Sequence, residues 1–303
     1  MRPTACSTVW ILRLFEFVNA AGSTRVGRLL GPTDDHDPTP ETGVCDLTAR
    51  LPDRATSLHQ LLQQAEWFDL AAAVTNTDLT LADLTFAPLL GLTGRVFAAG
   101  LNYEKKYPAG KQPPTPTVPP WFSKMPGTLV GHDEPIVAPR VSVSFDYEAE
   151  LTAIIGRGGR HIAVDDALDH VAGWTCMNDG SVREWQRHSL NAGKNFERSG
   201  SIGPWMVTAD EIDDPQNLQM TATVDGELRQ NANTGSMIFP VATIISYLSQ
   251  SIELRPGDVI ATGSPEGTGG SFDPPRFLTA GQTVEIHIDG IGTLRNRVVA
   301  ESP

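Results

Sequence analysis

The chain has 303 residues, of which 40% are hydrophobic and 19% are charged, as in ordinary globular proteins. Its formal net charge of −13 argues against nucleic acid or an anionic membrane surface as the main partner, because both would repel an acidic protein. The 28 glycines and 23 prolines indicate many turns, which favours a β-rich fold over a helical bundle. This length allows one large domain, or a large domain with a small one.

The cysteines and the apolar run near the amino terminus indicate the cellular compartment in which we expect the protein. The three cysteines show no C-x-x-C spacing, which argues against a disulfide framework or a zinc site; they are Cys6, Cys45 and Cys176. The apolar run at residues 9–12 is interrupted by Arg13, so it is too short for a secretory signal or a membrane span. We therefore expect a cytoplasmic protein in a reducing environment.

The first 92 residues have the pattern of a small α/β lobe. Apolar and β-branched residues predict strands at residues 9–17 and 25–30, on either side of a turn at residues 21–23. Leucines at helical spacing predict a helix over residues 57–66, and Ser57 is suited to cap its amino terminus. We expect this lobe to end near residue 92.

Residues 93–303 have the pattern of a larger, strand-rich domain. The segment 108–120 contains six prolines and is expected to be a loop or a lid. Helical spacing predicts helices at residues 165–171 and 241–251. The predicted strands lie at residues 96–101, 135–137, 147–156, 173–178, 218–224, 259–263 and 284–289. Together these elements predict a mixed β architecture decorated by helices.

Two acidic residues alternate along one predicted strand of this domain. Glu148 and Glu150 project from the same face, because successive side chains on a strand point to opposite faces. Adjacent carboxylates resist burial unless a cation neutralises them, and Mg²⁺ or Mn²⁺ prefers such oxygen ligands. Asp179 is the candidate third ligand. The alternative is a solvated face of an edge strand, and an E-x-E pattern taken alone favours that alternative.

An ordered series of short motifs extends over residues 94–298. The motifs are Gly100-Leu101-Asn102-Tyr103, Leu129-Val130-Gly131, Asp146-Tyr147-Glu148-Ala149-Glu150-Leu151, Gly173-Trp174, Asn178-Asp179, Arg183-Glu184-Trp185-Gln186, Lys194-Asn195-Phe196, Gly203-Pro204-Trp205, Arg229-Gln230, Ser236-Met237-Ile238-Phe239, Pro256-Gly257-Asp258-Val259-Ile260, Thr262-Gly263-Ser264-Pro265 and Gly290-Ile291-Gly292-Thr293-Leu294. Through these motifs the chain resembles the fumarylacetoacetate hydrolase superfamily, in its bacterial branch with a small amino-terminal lobe.

The resemblance implies an α+β fold with a mixed β-roll, sandwich-like catalytic domain over residues 93–303 and a homodimeric assembly. It implies a small-molecule keto or enol acid as substrate. It also implies that Mg²⁺ or Mn²⁺ is held by Glu148, Glu150 and Asp179. Oxyanion and carboxylate binding is assigned to Lys194, Arg183 and Gln186, and the i to i+3 spacing of Arg183 and Gln186 would place both on one face of a helix. For Arg183 and Lys194 the alternative is surface ion pairing with Glu184 or Glu197. The substrate-binding candidates are Tyr103, Thr262, Gly263 and Thr234, which could equally be packing, turn or capping residues.

The chain departs from the family pattern at the expected His–Glu dyad, where it has Lys106 and Ala109. Four alternatives remain open. Lys106 could act as a base if burial lowers its pKa; His132 or His188 could replace the dyad; a hydroxide on the metal could be the nucleophile; or the reaction could be gentler than hydrolysis.

These considerations predict a metal-dependent hydrolase that cleaves a C–C bond of an acylpyruvate or 1,3-diketo acid. The alternatives are an isomerase, decarboxylase or lyase at the same metal site, and a catalytically silent relative that binds a metabolite.

Overall fold

The computed structural model describes residues 12–31, 38–90, 94–104 and 114–302. The fold is α+β, mostly sheet with few and short helices, as predicted. The helices of the described residues are α1 (Leu47–Arg50), α2 (Leu58–Leu62), α3 (Trp67–Ala73), α4 (Leu190–Lys194) and α5 (Val241–Ser251). Short 3₁₀ turns occupy Leu81–Asp83, Val164–His170, Trp185–Arg187, Ala209–Glu211, Thr234–Ser236 and Gly269–Ser271.

The described residues form nineteen strands. They are β1 (Arg13–Val18), β2 (Thr24–Leu30), β3 (Gly43–Asp46), β4 (Leu79–Thr80), β5 (Thr85–Phe86), β6 (Val96–Ala99), β7 (Trp121–Lys124), β8 (Leu129–Val130), β9 (Ile136–Ala138), β10 (Phe145–Asp146), β11 (Ala149–Ile155), β12 (Val171–Asn178), β13 (Ser181–Val182), β14 (Gly200–Thr208), β15 (Gln219–Val224), β16 (Glu227–Asn233), β17 (Val259–Ala261), β18 (Thr283–Ile288) and β19 (Gly292–Ala300).

The largest sheet has the order β4-β3-β2-β1-β14-β12-β11-β17-β6-β7, with β5 added to β1 and β8 added to β14. Strand β1 pairs antiparallel with β14, placing Arg13 opposite Val207 and Leu14 opposite Met206. The amino-terminal strands therefore extend the same sheet that contains β11 and β12. A domain boundary near residue 92 stays a prediction.

A second sheet with the order β16-β15-β18-β19-β9 packs on the first, and β10 pairs with β13 as a short ribbon. Every residue of β11 and β12 is buried, which is why these strands are apolar almost throughout. In β18, by contrast, buried residues alternate with more exposed ones, so only one face packs on the core. The main core includes Phe15, Trp174 and Ile286.

Several elements match their sequence predictions closely. Helix α5 has the predicted bounds, and Ser57 caps α2 by accepting a hydrogen bond from the Gln60 backbone N–H at 3.1 Å. Helix α2 ends at Leu62, earlier than predicted, and the segment predicted as a helix at 165–171 is a 3₁₀ turn. Residues 105–113 of the proline-rich segment lie outside the described residues, whereas residues 114–120 contain no helix or strand.

Among the helices of the described residues, none is long and apolar enough to cross a membrane.

Candidate active site

The register between β11 and β12 brings the three predicted metal ligands together. Strand β11 is central, since it pairs with β12 on one side and β17 on the other, so the solvated edge-strand alternative does not hold. Ala149 lies opposite Asn178, so the residues just beyond these strand ends also meet. The Asp179 backbone N–H donates to the Glu148 carbonyl oxygen at 2.9 Å.

Glu148, Glu150 and Asp179 form a buried carboxylate cluster. Each contributes a carboxylate oxygen, and these oxygens lie within 4.8 Å of one another. All three side chains are buried. Burial, reinforced by the negative charges of Asp179 and Glu148, raises the pKa of Glu150 well above its usual value. Such a cluster requires nearby positive charge to remain ionised.

Lys194 supplies one of these positive charges. Its Nζ lies 2.5 Å from Glu148 Oε2 and 2.6 Å from Asp179 Oδ2. Burial alone would lower the pKa of Lys194, but the charges of Asp179 and Glu148 outweigh it, so the pKa is raised and the ammonium persists. Helix α4, capped at its start by Ser189, ends at Lys194 and presents its side chain to the cluster.

Arg183 supplies a second positive charge and lies between two acids. Its Nη1 is 2.8 Å from Glu148 Oε1, and its Nε donates to Asp146 Oδ2 at 2.7 Å. Burial alone would lower the pKa of Arg183, but Asp146 and Glu148 raise it. The Nη2 atom is buried and has no hydrogen-bond partner among the described residues. That nitrogen can donate to a bound ligand.

Lys124 is a third cation at the cluster, and it was not among the site residues predicted from the sequence. Its side chain is fully buried, and Nζ lies 2.7 Å from Asp179 Oδ1. The sequence of β7, Trp-Phe-Ser-Lys, has no apolar–polar alternation that would identify this lysine as buried; in the structure Phe122 and Lys124 are buried while Trp121 is exposed. A lysine on the buried face of a strand needs an acidic partner, because an unpaired charge is costly to bury.

The turn after β17 closes one side of the cluster. The Gly263 backbone N–H donates to Glu150 Oε2 at 2.8 Å, and Gly263 has a φ of +98°, which favours glycine. The Thr262 hydroxyl donates to the Leu151 carbonyl oxygen at 2.8 Å. The Thr262 carbonyl oxygen in turn accepts from Asn102 Nδ2 at 2.7 Å. Thus Gly263 contacts a candidate ligand directly, whereas the Thr262 side chain holds the turn to β11.

Tyr103 lies close to the cluster. Its ring is buried, and its hydroxyl has no hydrogen-bond partner among the described residues. Burial and the charge of Glu150 raise the pKa of Tyr103, so the phenol stays protonated and can donate.

Gln186 and Thr234 relate to the cluster less directly. Gln186 Oε1 is 3.5 Å from Arg183 Nη1. Arg183 precedes the 3₁₀ turn that contains Gln186, so the expectation that both lie on one face of a helix is wrong; the turn after β13 brings them together instead. The Thr234 hydroxyl donates to the Pro215 carbonyl oxygen and accepts from the Leu218 N–H, so it organises a turn. Its role in substrate binding stays a prediction.

The residues considered as replacements for the missing dyad have different surroundings. Lys106 and Ala109 lie outside the described residues. His132 Nδ1 accepts a hydrogen bond from the Arg295 backbone N–H at 3.1 Å, and His132 Nε2 lies 3.3 Å from Asp133. His188 is exposed and packs edge-on against Trp185. These contacts place His132 beside Asp133 and Arg295, and His188 beside Trp185.

The donor set of the cluster fits a hard divalent cation. Three buried carboxylates provide oxygen ligands of the kind that Mg²⁺ and Mn²⁺ prefer, and no sulfur or imidazole ligand belongs to the group.

Comparison with known proteins identifies the family. Residues 95–299 match the family model described as fumarylacetoacetate (FAA) hydrolase C-terminal. A protein of Burkholderia ambifaria that is named a hydrolase is 40% identical over 252 residues, which are 82% of this chain and 88% of that protein. The chain belongs to the fumarylacetoacetate hydrolase family, as the sequence motifs predicted.

Solved structures of this family share the fold over nearly the whole chain. The 2-hydroxyhepta-2,4-diene-1,7-dioate isomerase from Mycobacterium marinum has a TM-score of 0.74 and 28% identity, and the match covers 96% of this chain and 100% of that one. The maleylpyruvate hydrolase from Sphingobium sp. SYK-6 also has a TM-score of 0.74 and 28% identity, covering 95% and 100%. The family therefore includes both hydrolases and isomerases.

Proposed function

We propose that this protein is a divalent-metal-dependent hydrolase that cleaves a C–C bond in an acylpyruvate or a related 1,3-diketo acid. The observation that carries this proposal is the buried cluster of Glu148, Glu150 and Asp179, with Lys194 in contact with two of its members. Mg²⁺ or Mn²⁺ would be held by these three carboxylates. When bound, the ion supplies Lewis-acid polarisation of a keto oxygen and stabilises enolate charge.

The side chains around the cluster would bind the substrate and stabilise the charge that develops on it. The Lys194 ammonium, kept protonated by its acidic neighbours, stabilises negative charge that develops on a substrate oxygen. Arg183 Nη2 is the available donor for a substrate carboxylate. The protonated Tyr103 hydroxyl can donate to an uncharged oxygen of the substrate. Gln186 adds an amide beside Arg183.

A panel of acylpyruvates and oxaloacetate tests this proposal. Loss of enol absorbance is followed with Mg²⁺, with Mn²⁺ and with a chelator, and the products are weighed by mass spectrometry. C–C hydrolysis predicts metal-dependent formation of two smaller acids, one of which contains oxygen from ¹⁸O-labelled water. A product of unchanged mass, or turnover that persists with the chelator, would contradict it.

The site variant Glu150→Gln and the control variant Glu285→Gln sharpen the same assay. Glu150 belongs to the carboxylate cluster, whereas Glu285 lies in β18 of the other sheet. The proposal requires Glu150→Gln to lose at least about a hundredfold in kcat/KM, as is usual when a charge-stabilising group is removed. Glu285→Gln should retain wild-type turnover.

A second candidate is isomerisation or decarboxylation of an enolisable keto acid at the same cluster. Two observations favour it: Lys106 and Ala109 replace the usual dyad, and a similar structure is that of an isomerase. These steps require enolate stabilisation without an activated water. An isomerised product of unchanged mass, or release of CO₂, would identify this second reaction. A catalytically silent relative would bind metal and keto acid without forming product.

We also propose a homodimer, as expected from the family resemblance. Size-exclusion chromatography with light scattering tests it, and a mass of one 32.7 kDa chain would contradict it.

A further inference from the structure

Asp146 is a fully buried acid that lies next to the carboxylate cluster but does not belong to it. It ends β10, two residues before Glu148, and four N–H groups donate to its two oxygens. Oδ1 accepts from the Gly269 backbone N–H at 2.6 Å and from the Tyr147 backbone N–H at 2.9 Å. Oδ2 accepts from Arg183 Nε at 2.7 Å and from the Gly270 backbone N–H at 2.9 Å.

The segment that supplies the two glycine N–H groups is itself anchored. The Arg276 backbone N–H donates to the Gly269 carbonyl oxygen at 2.9 Å, and the Leu278 backbone N–H donates to the Phe145 carbonyl oxygen at 2.7 Å. The Arg276 guanidinium lies 4.9 Å from the centre of the Phe272 ring. Two of the four donors to Asp146 thus come from a closed loop, residues 269–278.

Close approach explains one glycine of this loop, Gly269. A Cβ on Gly269 would lie 2.7 Å from Asp146 Oδ1 and 2.4 Å from the Arg276 carbonyl oxygen. The Gly269 backbone N–H can therefore reach the carboxylate only when no side chain is present at this position. A Cβ on Gly270 would make ordinary van der Waals contacts, at 3.4 Å from Asp146 Oδ2 and 3.7 Å from Arg183 Nε.

These contacts determine how Arg183 is oriented. Nε is held by Asp146 and Nη1 by Glu148, which fixes the plane of the guanidinium at two of its three nitrogens. Nη2 is then the guanidinium nitrogen without a partner among the described residues. We propose that Asp146 is a positioning residue that orients Arg183 so that Nη2 binds a carboxylate oxygen of the substrate. This inference rests on the proposed function.

A double-mutant cycle tests whether Asp146 acts through Arg183. The variants are Asp146→Asn, Arg183→Met and the double variant, with Asp133→Asn as a control that disrupts a comparable arginine pair at the surface. The probe is oxalate, a dianion with carboxylate oxygens on adjacent carbons. Its affinity is measured by calorimetry with saturating Mn²⁺, and the Mn²⁺ affinity is measured separately without oxalate.

The asparagine amide would present an N–H toward groups that themselves donate, so the Arg183 guanidinium should lose its orientation. We expect Asp146→Asn to weaken oxalate binding at least about tenfold. In the Arg183→Met background the same substitution should change oxalate affinity by less than about threefold, because interacting residues are not additive. Asp133→Asn should bind oxalate as the wild type does.

Two results would overturn the inference while leaving the proposed function intact. One is an Asp146→Asn variant that binds oxalate like the wild type, and the other is a double variant whose loss equals the product of the two single losses. If the wild type fails to bind Mn²⁺, or fails to bind oxalate, the proposed function is overturned, and this inference is overturned with it.

If Asp146→Asn does not fold, as judged by circular dichroism, Gly269→Ala takes its place in the cycle. Its added Cβ would lie 2.7 Å from Asp146 Oδ1 and 2.4 Å from the Arg276 carbonyl oxygen, so it would displace the carboxylate and the loop from each other. It should weaken oxalate binding in the wild-type background and have no further effect when Arg183 is Met. An equal effect in both backgrounds would overturn the inference.

Discussion

The ammonium of Lys124 lies 2.7 Å from Asp179 Oδ1 and 2.7 Å from the backbone carbonyl oxygen of Lys194. One buried cation of β7 therefore holds both a candidate metal ligand and the end of the helix that presents Lys194. Because Oδ1 of Asp179 is engaged in this way, Oδ2 is the oxygen that contacts the Lys194 ammonium. The relationship indicates that Lys124 supports the geometry of the carboxylate cluster.

Replacing Lys124 by Met should destabilise the protein. Removal of one partner from a buried ion pair typically costs about 3–5 kcal/mol, because it leaves the other charge uncompensated. Asp179 would lose one of its two lysine partners, so we expect a loss of about 3 kcal/mol in the free energy of unfolding measured in urea.

Arg54→Met is the matched control for this substitution. Arg54 pairs with Glu66, and both side chains are half exposed, so its loss should leave the free energy of unfolding nearly unchanged. Equal unfolding free energies for the Lys124 and Arg54 variants would contradict the assigned role of Lys124.

Gly263→Ala should destabilise the protein more than Gly281→Ala does, although both glycines have the same φ of +98°. Alanine in this region of φ costs about 1–2 kcal/mol at either position. A Cβ at 263 would also lie 2.7 Å from Asn102 Cβ, whereas a Cβ at 281 would meet nothing within 4 Å. Thermal unfolding should show a larger loss for Gly263→Ala, by about 1–3 kcal/mol. Mn²⁺ binding should weaken only in Gly263→Ala, because the backbone N–H of residue 263 donates to Glu150 and orients it. Equal losses would count against this steric account.

Cys45 should resist alkylation in the folded protein. Burial, together with the nearby charge of Asp78, raises the pKa of the Cys45 thiol to about 11. At pH 8 only about one thiol in a thousand would be ionised, and the thiolate is the reactive form. Peptide mapping after iodoacetamide treatment should show Cys45 labelled at least about a hundredfold more slowly in buffer than in urea. Similar rates in both solutions would contradict this burial.

Protonation of Asp133 should make the free energy of unfolding fall at acidic pH. The His132 hydrogen bond, aided by Arg295, holds the pKa of Asp133 well below its usual value. A carboxyl with a depressed folded-state pKa adds stability above its unfolded-state pKa of about 3.9, and this stability is lost as the pH falls toward the folded-state value. Urea unfolding between pH 6 and pH 2.5 should therefore show a steeper acid loss for the wild type than for Asp133→Asn. Parallel profiles would contradict the assignment.

Local sequence patterns predicted the elements whose conformation depends mainly on residues close in sequence. Helix α5 follows from its apolar spacing, and Ser57 identifies the start of α2 because a serine hydroxyl can accept from the first free N–H groups. The alternation of Glu148 and Glu150 taken alone favoured a solvated strand face, so the surrounding family motifs were needed to predict the carboxylate cluster with Asp179.

Long-range pairing explains what the sequence did not reveal. Strand β1 pairs with β14, about 190 residues further along the chain, and no local pattern specifies that partner. Lys124 and Asp146 had no assigned role, because their partners come from other strands and loops. Arg183 and Gln186 were predicted to share a helix face, but their proximity comes from the turn after β13.

The most direct test of the central claim is a Mn²⁺ titration of the metal-stripped protein, followed by electron paramagnetic resonance. The wild type and Asp133→Asn should each bind one Mn²⁺ ion per chain with the same affinity. Glu150→Gln should bind at least about tenfold more weakly, because it removes one of three carboxylate ligands from the cluster. A wild type without a Mn²⁺ site, or a Glu150→Gln variant of unchanged affinity, would contradict the account.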